Sequence, residues 1–429
     1  MQTLEDLRTG KLQGVTRLKL SDKLDTLPEE VFGLADSLEI LDLNGTGLSE
    51  LPADFGRLKK LRILFMSDNP VETLPEVLAD CPALSMIGFK NCHISDVPHG
   101  AIPKTVNWLI LTGNRISELP ASVGELPRLQ KCMLAGNQLS TLPDTFAGGQ
   151  NLELLRLSAN RFEALPDFLF SLPKLSWLTF AGNPLHKSFG ENANIPVVTG
   201  DALEFGETLG EGASGVIRKA RWKGETEPVA VKLFKGALTS DGFAEDELNA
   251  TLAAGNHDGL VPIRARLKDD DLDGLIMPVI PGDFSALGNP PTFDTCTRDH
   301  YPDDFRISAD KALRIARQQA GIMLHLRERN IAHNDFYPHN ILTNPEGESL
   351  LTDFGAAANY ASLPDHQRHA LERIEARAFG CLVDDLINGL SQDDLNSSTG
   401  AKLIRLRDQL FNETVSSRPG FSDIVDALA

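Results

Sequence analysis

The chain has 429 residues, which suits two domains, each large enough to bury its own core, better than one. Acidic residues outnumber basic ones 60 to 41, a formal charge of -19, which argues against nucleic acid or an anionic membrane surface as the general partner. Cys81, Cys92, Cys132, Cys296 and Cys381 lie far apart with no Cys-x-x-Cys pair, so neither a zinc site nor a disulfide framework is expected. Glu5 and Asp6 stand where a secretory signal needs a basic flank, and no run approaches the roughly eighteen apolar residues of a membrane span. A soluble, cytoplasmic protein of undetermined oligomeric state is the expectation.

Leu-Pro recurs at Leu27, Leu51, Leu74, Leu119, Leu142 and Leu165, and Val97-Pro98 fills the one gap, giving steps of 24, 23, 23, 22, 23 and 23 residues. Self-similarity at that period predicts a solenoid. Each unit carries L-x-x-L-x-L-x-x-N-x-L, clearest as Leu61, Leu64, Met66, Asn69, Val71 and as Leu152, Leu155, Leu157, Asn160, Phe162. The pattern resembles the leucine-rich-repeat family. Eight units begin at Val15, Leu38, Leu61, Leu84, Val106, Leu129, Leu152 and Leu175, the first irregular around Lys23 as a capping repeat would be. Positions four and six should point inward from a short parallel strand. Asn69, Asn114, Asn137, Asn160 and Asn183 should form a buried ladder, with Thr46 and Cys92 at the same place in their units.

Positions three and five point to the opposite, concave face and need not be apolar. Here Ile40, Ile63, Met86, Trp108, Leu154 and Trp177 share position three, and Phe65, Ile110 and Met133 share position five. An exposed apolar column of this kind predicts a protein-binding surface, and cover by the second domain or by a second copy is an equally open reading.

The repeats end after Leu185, and His186 to Gly200 is turn-rich through Lys-Ser-Phe-Gly, Asn192, Asn194 and Pro196. This places a repeat domain at 1–195, a linker at 196–202 and a second domain at 203–429. Gly210, Gly212 and Gly215 form G-x-G-x-x-G, followed by two predicted strands, Val216–Ala220 and Val229–Lys232, rather than by a helix. That context favours a flexible phosphate cover over a dinucleotide turn. Lys232 in a cleft needs an acid, and Glu247 on a predicted helix over 242–254 is the first candidate, with Glu245 the alternative. Gly274–Val279 reads as a buried strand, and 311–329 as a core helix. Then come His333-Asn334-Asp335-Phe336-Tyr337-Pro338-His339-Asn340 and Asp353-Phe354-Gly355, which set Asp335, Asn340 and Asp353 at intervals of five and thirteen residues. A short loop followed by a β-hairpin would bring the three together.

The glycine loop, Val-Ala-Val-Lys, the apolar strand, His-x-Asp-x-x-x-x-Asn and Asp-Phe-Gly, in that order, resemble the protein kinase family. The resemblance implies an α+β two-lobed domain following the α/β solenoid, with lobes at 203–281 and 282–429. It implies that Asp335 accepts the proton of a hydroxyl, that Lys232 binds ATP phosphates and that Asn340 and Asp353 hold magnesium, or manganese in its place. It also makes Met277 and Val279 part of the adenine pocket. His333 and His339 read as packing or hydrogen-bonding residues rather than a metal pair.

Several residues depart from that family. Asn334 replaces the arginine that pairs with a phosphorylated activation loop, and Tyr337 replaces the lysine usual in serine/threonine kinases. Asp353 to Glu375 is only 22 residues with no Ala-Pro-Glu, Tyr360 and Ser362 are the only hydroxyl side chains between Gly355 and Glu375, and Arg418 lacks its usual glutamate. Glu375 stands where the family has Asp before its next helix. The loop also resembles aminoglycoside- and choline-type kinases. Three readings follow: a protein kinase acting on serine or threonine with the repeats as its protein-binding module, a catalytically silent scaffold, and a small-molecule kinase. The complete set of chemical residues favours the first.

Overall fold

The computed structural model describes residues 2–187, 189, 195–212, 214–235, 239, 242–269 and 272–429; Ala213 of the glycine run and Ser188, Gly190, Asn192 and Asn194 of the turn-rich segment lie outside them. Contacts divide the chain into two compact units, Met1–Leu175 and Ser176–Ala429. The division precedes the end of the repeat period, because the residues just after Leu175 bond to the C-terminal half, as described below.

The first unit is a leucine-rich-repeat solenoid. A one-turn helix α1 (Leu4–Arg8), capped by Thr3, precedes strands β1 (Arg17–Lys19), β2 (Ile40–Asp42), β3 (Ile63–Phe65), β4 (Met86–Gly88) and β5 (Trp108–Ile110). A four-residue helix α2 (Ala121–Gly124) then leads to β6 (Lys131–Met133) and β7 (Leu154–Arg156). Each strand begins two residues into its repeat and pairs in parallel with the next, in the register Ile40, Ile63, Met86, Trp108, Lys131, Leu154. The middle residues Leu18, Leu41, Leu64, Ile87, Leu109, Cys132 and Leu155 are fully buried. Three-residue strands have no stability alone; stacking supplies it.

The asparagine ladder satisfies the backbone after each strand. Asn137 Nδ2 donates to the carbonyls of Leu111 and Leu134, both at 2.9 Å, and its oxygen accepts the Ile116 N–H at 3.1 Å. Asn69, Asn114 and Asn160 repeat this between their neighbouring turns. At the two exceptions Thr46 Oγ1 donates to Leu43 O at 2.8 Å, and Cys92 Sγ to Met66 O at 3.1 Å.

The concave column is less open than its composition predicts. Ile63, Met86, Leu154 and Trp177 are buried, whereas Ile40, Phe65, Trp108, Ile110 and Met133 are half-buried. In-register packing places each side chain against its equivalents on the adjoining strands. Lys131, which occupies position three of the sixth repeat, sets its Nζ 4.0 Å from the centre of the Trp108 ring.

The second unit begins with β8 (Trp177–Thr179), the strand of the eighth repeat. Strands β9 (Val197–Val198), β10 (Leu203–Glu211), β11 (Gly215–Trp222), β12 (Val229–Phe234), β13 (Ala265–Lys268) and β14 (Asp273–Pro278) form one sheet in the order β10-β11-β12-β14-β13-β9. All of its pairs are antiparallel except β13 with β9. Helix α3 (Ala244–Ala254) belongs to this lobe. After β15 (Ser285–Ala286), the second lobe is built on α4 (Ala309–Glu328) and the 24-residue α5 (Asp365–Asn388), followed by α6 (Gln392–Asn396), α7 (Ser398–Leu410) and α8 (Phe421–Leu428). Buried Ile315, Ala316, Ile322, Met323 and Leu326 recur at helical spacing on α4 and make it the central helix of this lobe.

Two small sheets present the site. β16 (Ile331–Ala332) pairs with β19 (Ala358–Asn359), and β17 (Ile341–Thr343) forms an antiparallel hairpin with β18 (Ser349–Leu351). Residues 333–340 are the loop between β16 and β17, and Asp353 follows β18. The hairpin therefore carries Asp353 back beside Asn340, as their spacing predicts. Among the described residues no helix is long and apolar enough to cross a membrane.

Candidate active site

The glycine run closes the β10–β11 hairpin, with Gly212 N–H donating to Gly215 O at 2.9 Å. A side chain at Gly210 or Gly212 would meet no atom within 4 Å, whereas a Cβ at Gly215 would lie 2.3 Å from the Leu233 carbonyl oxygen. Gly215 thus permits close strand approach, and the first two glycines leave their backbone bare toward a cavity of about 330 Å³. Lys232, Asn340, Thr352 and Asp353 line the same cavity.

Lys232, on β12, forms an ion pair with Glu247 on α3. Glu247 is buried and Glu245 is exposed, which makes Glu247 the partner. Burial pushes the Glu247 carboxyl up; the Lys232 ammonium opposes that shift and Asp353 adds to it. A second cavity of about 290 Å³ adjoins the first and is lined by apolar Ile217, Leu260, Leu275, Met277, Ile280, Leu342 and Leu351. Met277 is therefore at this pocket; Ile280 also contributes to its lining, and Val279 does not.

In the 333–340 loop, Asn340 Nδ2 donates to the Asp335 carboxylate and to its backbone carbonyl, both at 2.9 Å. The amide oxygen is left as the acceptor end. Asn334 and Asp353 both adopt φ of +59°, a left-handed conformation that short polar residues tolerate best. Asn334 also donates from Nδ2 to Ala356 O at 3.2 Å, tying the loop to the segment after Asp-Phe-Gly. His333 is buried, with Nε2 3.2 Å from Thr352 O and its ring against Phe354, consistent with a packing role.

The loop is held by Glu375, whose position the sequence singles out, and by Asp299, which lies in no motif. Glu375 accepts the N–H groups of His333 at 2.7 Å and Asn334 at 3.1 Å. It sits inside α5 rather than ahead of a helix, and burial drives its carboxyl up to about 7 although those two N–H groups pull it down. Asp299 accepts the His339 N–H at 2.6 Å and lies 2.7 Å from its Nδ1. Burial disfavours charge on His339, but the Asp299 contact outweighs it and raises the imidazole above its ordinary value.

Trp177 departs most from its expected place. Its ring stacks on Tyr337 with centroids 4.4 Å apart and planes 5° apart, and its Nε1–H donates to Phe336 O at 3.1 Å. At 1 % exposure it is not available to a partner. Arg418 is buried and donates to the carbonyls of Asn412 and Arg373. Tyr360 and Ser362 donate to Arg327 O and Leu185 O.

A glycine-covered cavity, a lysine–glutamate pair and an Asp, Asn and Asp set at a lobe junction define the protein kinase class of fold. The Protein kinase domain model matches residues 203–376, and Leucine rich repeat models match 37–58, 104–162 and 127–185. The chain is 30 % identical over 201 residues to mouse inhibitor of nuclear factor kappa-B kinase subunit epsilon, covering 42 % of this chain and 27 % of that one. It is 29 % identical over 161 residues to the serine/threonine-protein kinase ppk23 of Schizosaccharomyces pombe, 37 % of each chain. It is 27 % identical over 113 residues to the probable inactive serine/threonine-protein kinase roco10 of Dictyostelium discoideum, 25 % of this chain and 4 % of that one. The chain thus spans well under half the length of these curated relatives. It carries leucine-rich repeats followed by a protein kinase domain, and such a domain implies ATP and a divalent metal.

Proposed function

We propose that the chain is an ATP- and magnesium-dependent protein kinase acting on serine or threonine hydroxyls, itself included, and that manganese can replace magnesium. The carrying observation is the convergence of Gly210, Gly212, Lys232, Asn340 and Asp353 on one cavity, with Asp335 bonded to Asn340 at its edge. The donors suit the group: oxygen ligands from one carboxylate and one amide are what magnesium takes when phosphates complete its shell. The bound metal would counter phosphate charge. Lys232, oriented by Glu247, would hold the α- and β-phosphates of a bound nucleotide, and bare backbone at Gly210 and Gly212 would let the hairpin approach them. Asp335, fixed by the Asn340 amide, accepts the acceptor's proton. The chemistry is positioning and charge stabilisation.

The half-buried part of the concave face, Ile40, Phe65, Trp108, Ile110 and Met133, is the proposed protein-binding surface. Five free, buried cysteines fit a reducing, cytoplasmic setting. A second reading, a small-alcohol acceptor, has its own support: α5 begins at Asp365, twelve positions after Asp353, which leaves little chain for a peptide platform.

Purified chain with labelled ATP and magnesium, offered itself, generic proteins and small alcohols, separates the readings. Label on serine or threonine supports the protein kinase, and label only on alcohols supports the second reading. Nucleotide binding with no transfer to any acceptor would leave a scaffold.

A further inference from the structure

Asp335 is bracketed by two peptide groups, each held by one side chain from outside the loop. On one side, the Asn334 N–H is held by Glu375 of α5. On the other, the Phe336 carbonyl is held by Nε1–H of Trp177. The bracket on the Trp177 side is reinforced by three rings in series, Trp177 on Tyr337 at 4.4 Å and Tyr337 on His339 at 5.0 Å, with His339 fixed in turn by Asp299. Trp177 and Tyr337 are 1 % and 3 % exposed, so that pair of the series is dry, while His339 is half-buried at its end.

The segment that carries Trp177 is itself tied to the surrounding frame. Arg377, two residues from Glu375 on α5, donates to Ser176 Oγ at 2.8 Å. Ser362 Oγ donates to Leu185 O at 2.7 Å, and the Asn359 N–H to His186 Nε2 at 3.1 Å. One helix therefore supports both brackets: it reaches the loop directly through Glu375 and through Arg377, Ser176 and Trp177. This also accounts for Tyr337. A flexible cationic side chain there could not form a parallel stack with an indole, whereas a flat ring loses little freedom in doing so.

We propose that Trp177 is a positioning residue for phosphoryl transfer, and that the eighth repeat is a working part of the catalytic unit rather than the last element of a separate binding module. The proposal rests on the phosphotransferase reading above. Without Trp177 the Phe336–Tyr337 peptide, one residue beyond Asp335, is released, and the carboxylate loses its alignment while the cavity walls outside the loop, Gly210, Gly212, Lys232 and Asp353, stay intact.

The test uses the full chain with Trp177→Ala, Trp177→Phe and, to break the stack from its other side, Tyr337→Leu. Single-turnover transfer, nucleotide affinity and amide exchange of residues 333–343 are measured on each. Trp177→Ala and Tyr337→Leu should slow transfer by about 100-fold, the cost expected of a small misplacement, with nucleotide affinity unchanged. Exchange at residues 336–340 should speed by about tenfold while β17 stays protected. Trp177→Phe, which keeps a ring in the stack, should recover most of the rate. Unchanged rate and exchange in both disrupting variants would overturn the proposal, and so would faster transfer, which would make the eighth repeat a cover. If the unmodified chain transfers no phosphate, the phosphotransferase reading fails by itself; the exchange arm then decides alone whether Trp177 holds the loop.

Discussion

The repeats and the catalytic loop solve the same problem, backbone groups turned away from water, with opposite degrees of redundancy. In the solenoid, Asn69, Asn114, Asn137 and Asn160 each bridge two turns, and the next repeat offers the same bridge about 23 residues on. In the second unit, Glu375, Asp299 and Trp177 hold the 333–340 loop from three distant places in the sequence, each at its own point rather than as a repeating series. Damage to the solenoid is therefore expected to cost stability and leave chemistry alone. Damage to the loop's supports is expected to cost chemistry out of proportion to stability.

The strongest way to break that contrast is at the Lys232–Glu247 pair. Lys232→Met should lower transfer by about 100- to 1,000-fold, the usual loss for one preorganised charge, and a steady-state assay checks it. An effect of only a few fold would show that the pair is structural. At the ladder, Asn137→Ala removes the side-chain bonds to Leu111, Leu134 and Ile116 and strands buried carbonyls, so unfolding of the repeats should become easier by about 1–3 kcal/mol in a denaturant titration. Transfer by the surviving folded protein should match the unmodified chain; a parallel loss of rate would erase the distinction between the two regions.

Glu375 sharpens the comparison through pH. Its carboxyl is raised to about 7 in the folded protein from an ordinary 4.5, so the folded state holds the proton more tightly. Its contribution to stability is then fully present below about 4.5 and is lost as pH rises through about 7. Glu375→Gln should flatten the stability profile across that window, read from thermal midpoints at a series of pH values; an unaltered slope would refute the assignment. The smallest effect on the catalytic unit should come from Trp108→Glu on the concave face. Nucleotide affinity should stay within error while capture of a bound protein partner is lost, and persistent capture would remove that face as the docking surface.

What could be read from the sequence follows the same divide. Strand starts, the inward leucines and the asparagine ladder repeat so often that one irregular unit does not hide the pattern. The loop and hairpin that join Asp335, Asn340 and Asp353 were legible from their spacing, because each interval is spanned by a single local element. The loop's supports were not. Asp299 lies in no motif, Glu375 sits in mid-helix where a helix start was expected, and Trp177 shares its repeat position with residues that a concave face normally leaves exposed. Each reaches the loop across 40 to 160 residues, and a support that does not recur leaves no periodicity in a sequence. Tyr337 and Glu375 were the visible traces, as departures from the family pattern, but neither showed what it would touch.

The central claim is that Asp335, held between its two brackets, performs transfer in a site that binds nucleotide independently of it. Single-turnover transfer from labelled ATP with magnesium, comparing the unmodified chain with Asp335→Asn at matched nucleotide occupancy, tests it most directly. The account predicts transfer by the unmodified chain and a loss of at least about 1,000-fold in the variant, with nucleotide affinity retained. Equal rates in the two proteins, or binding without transfer in both, would contradict it.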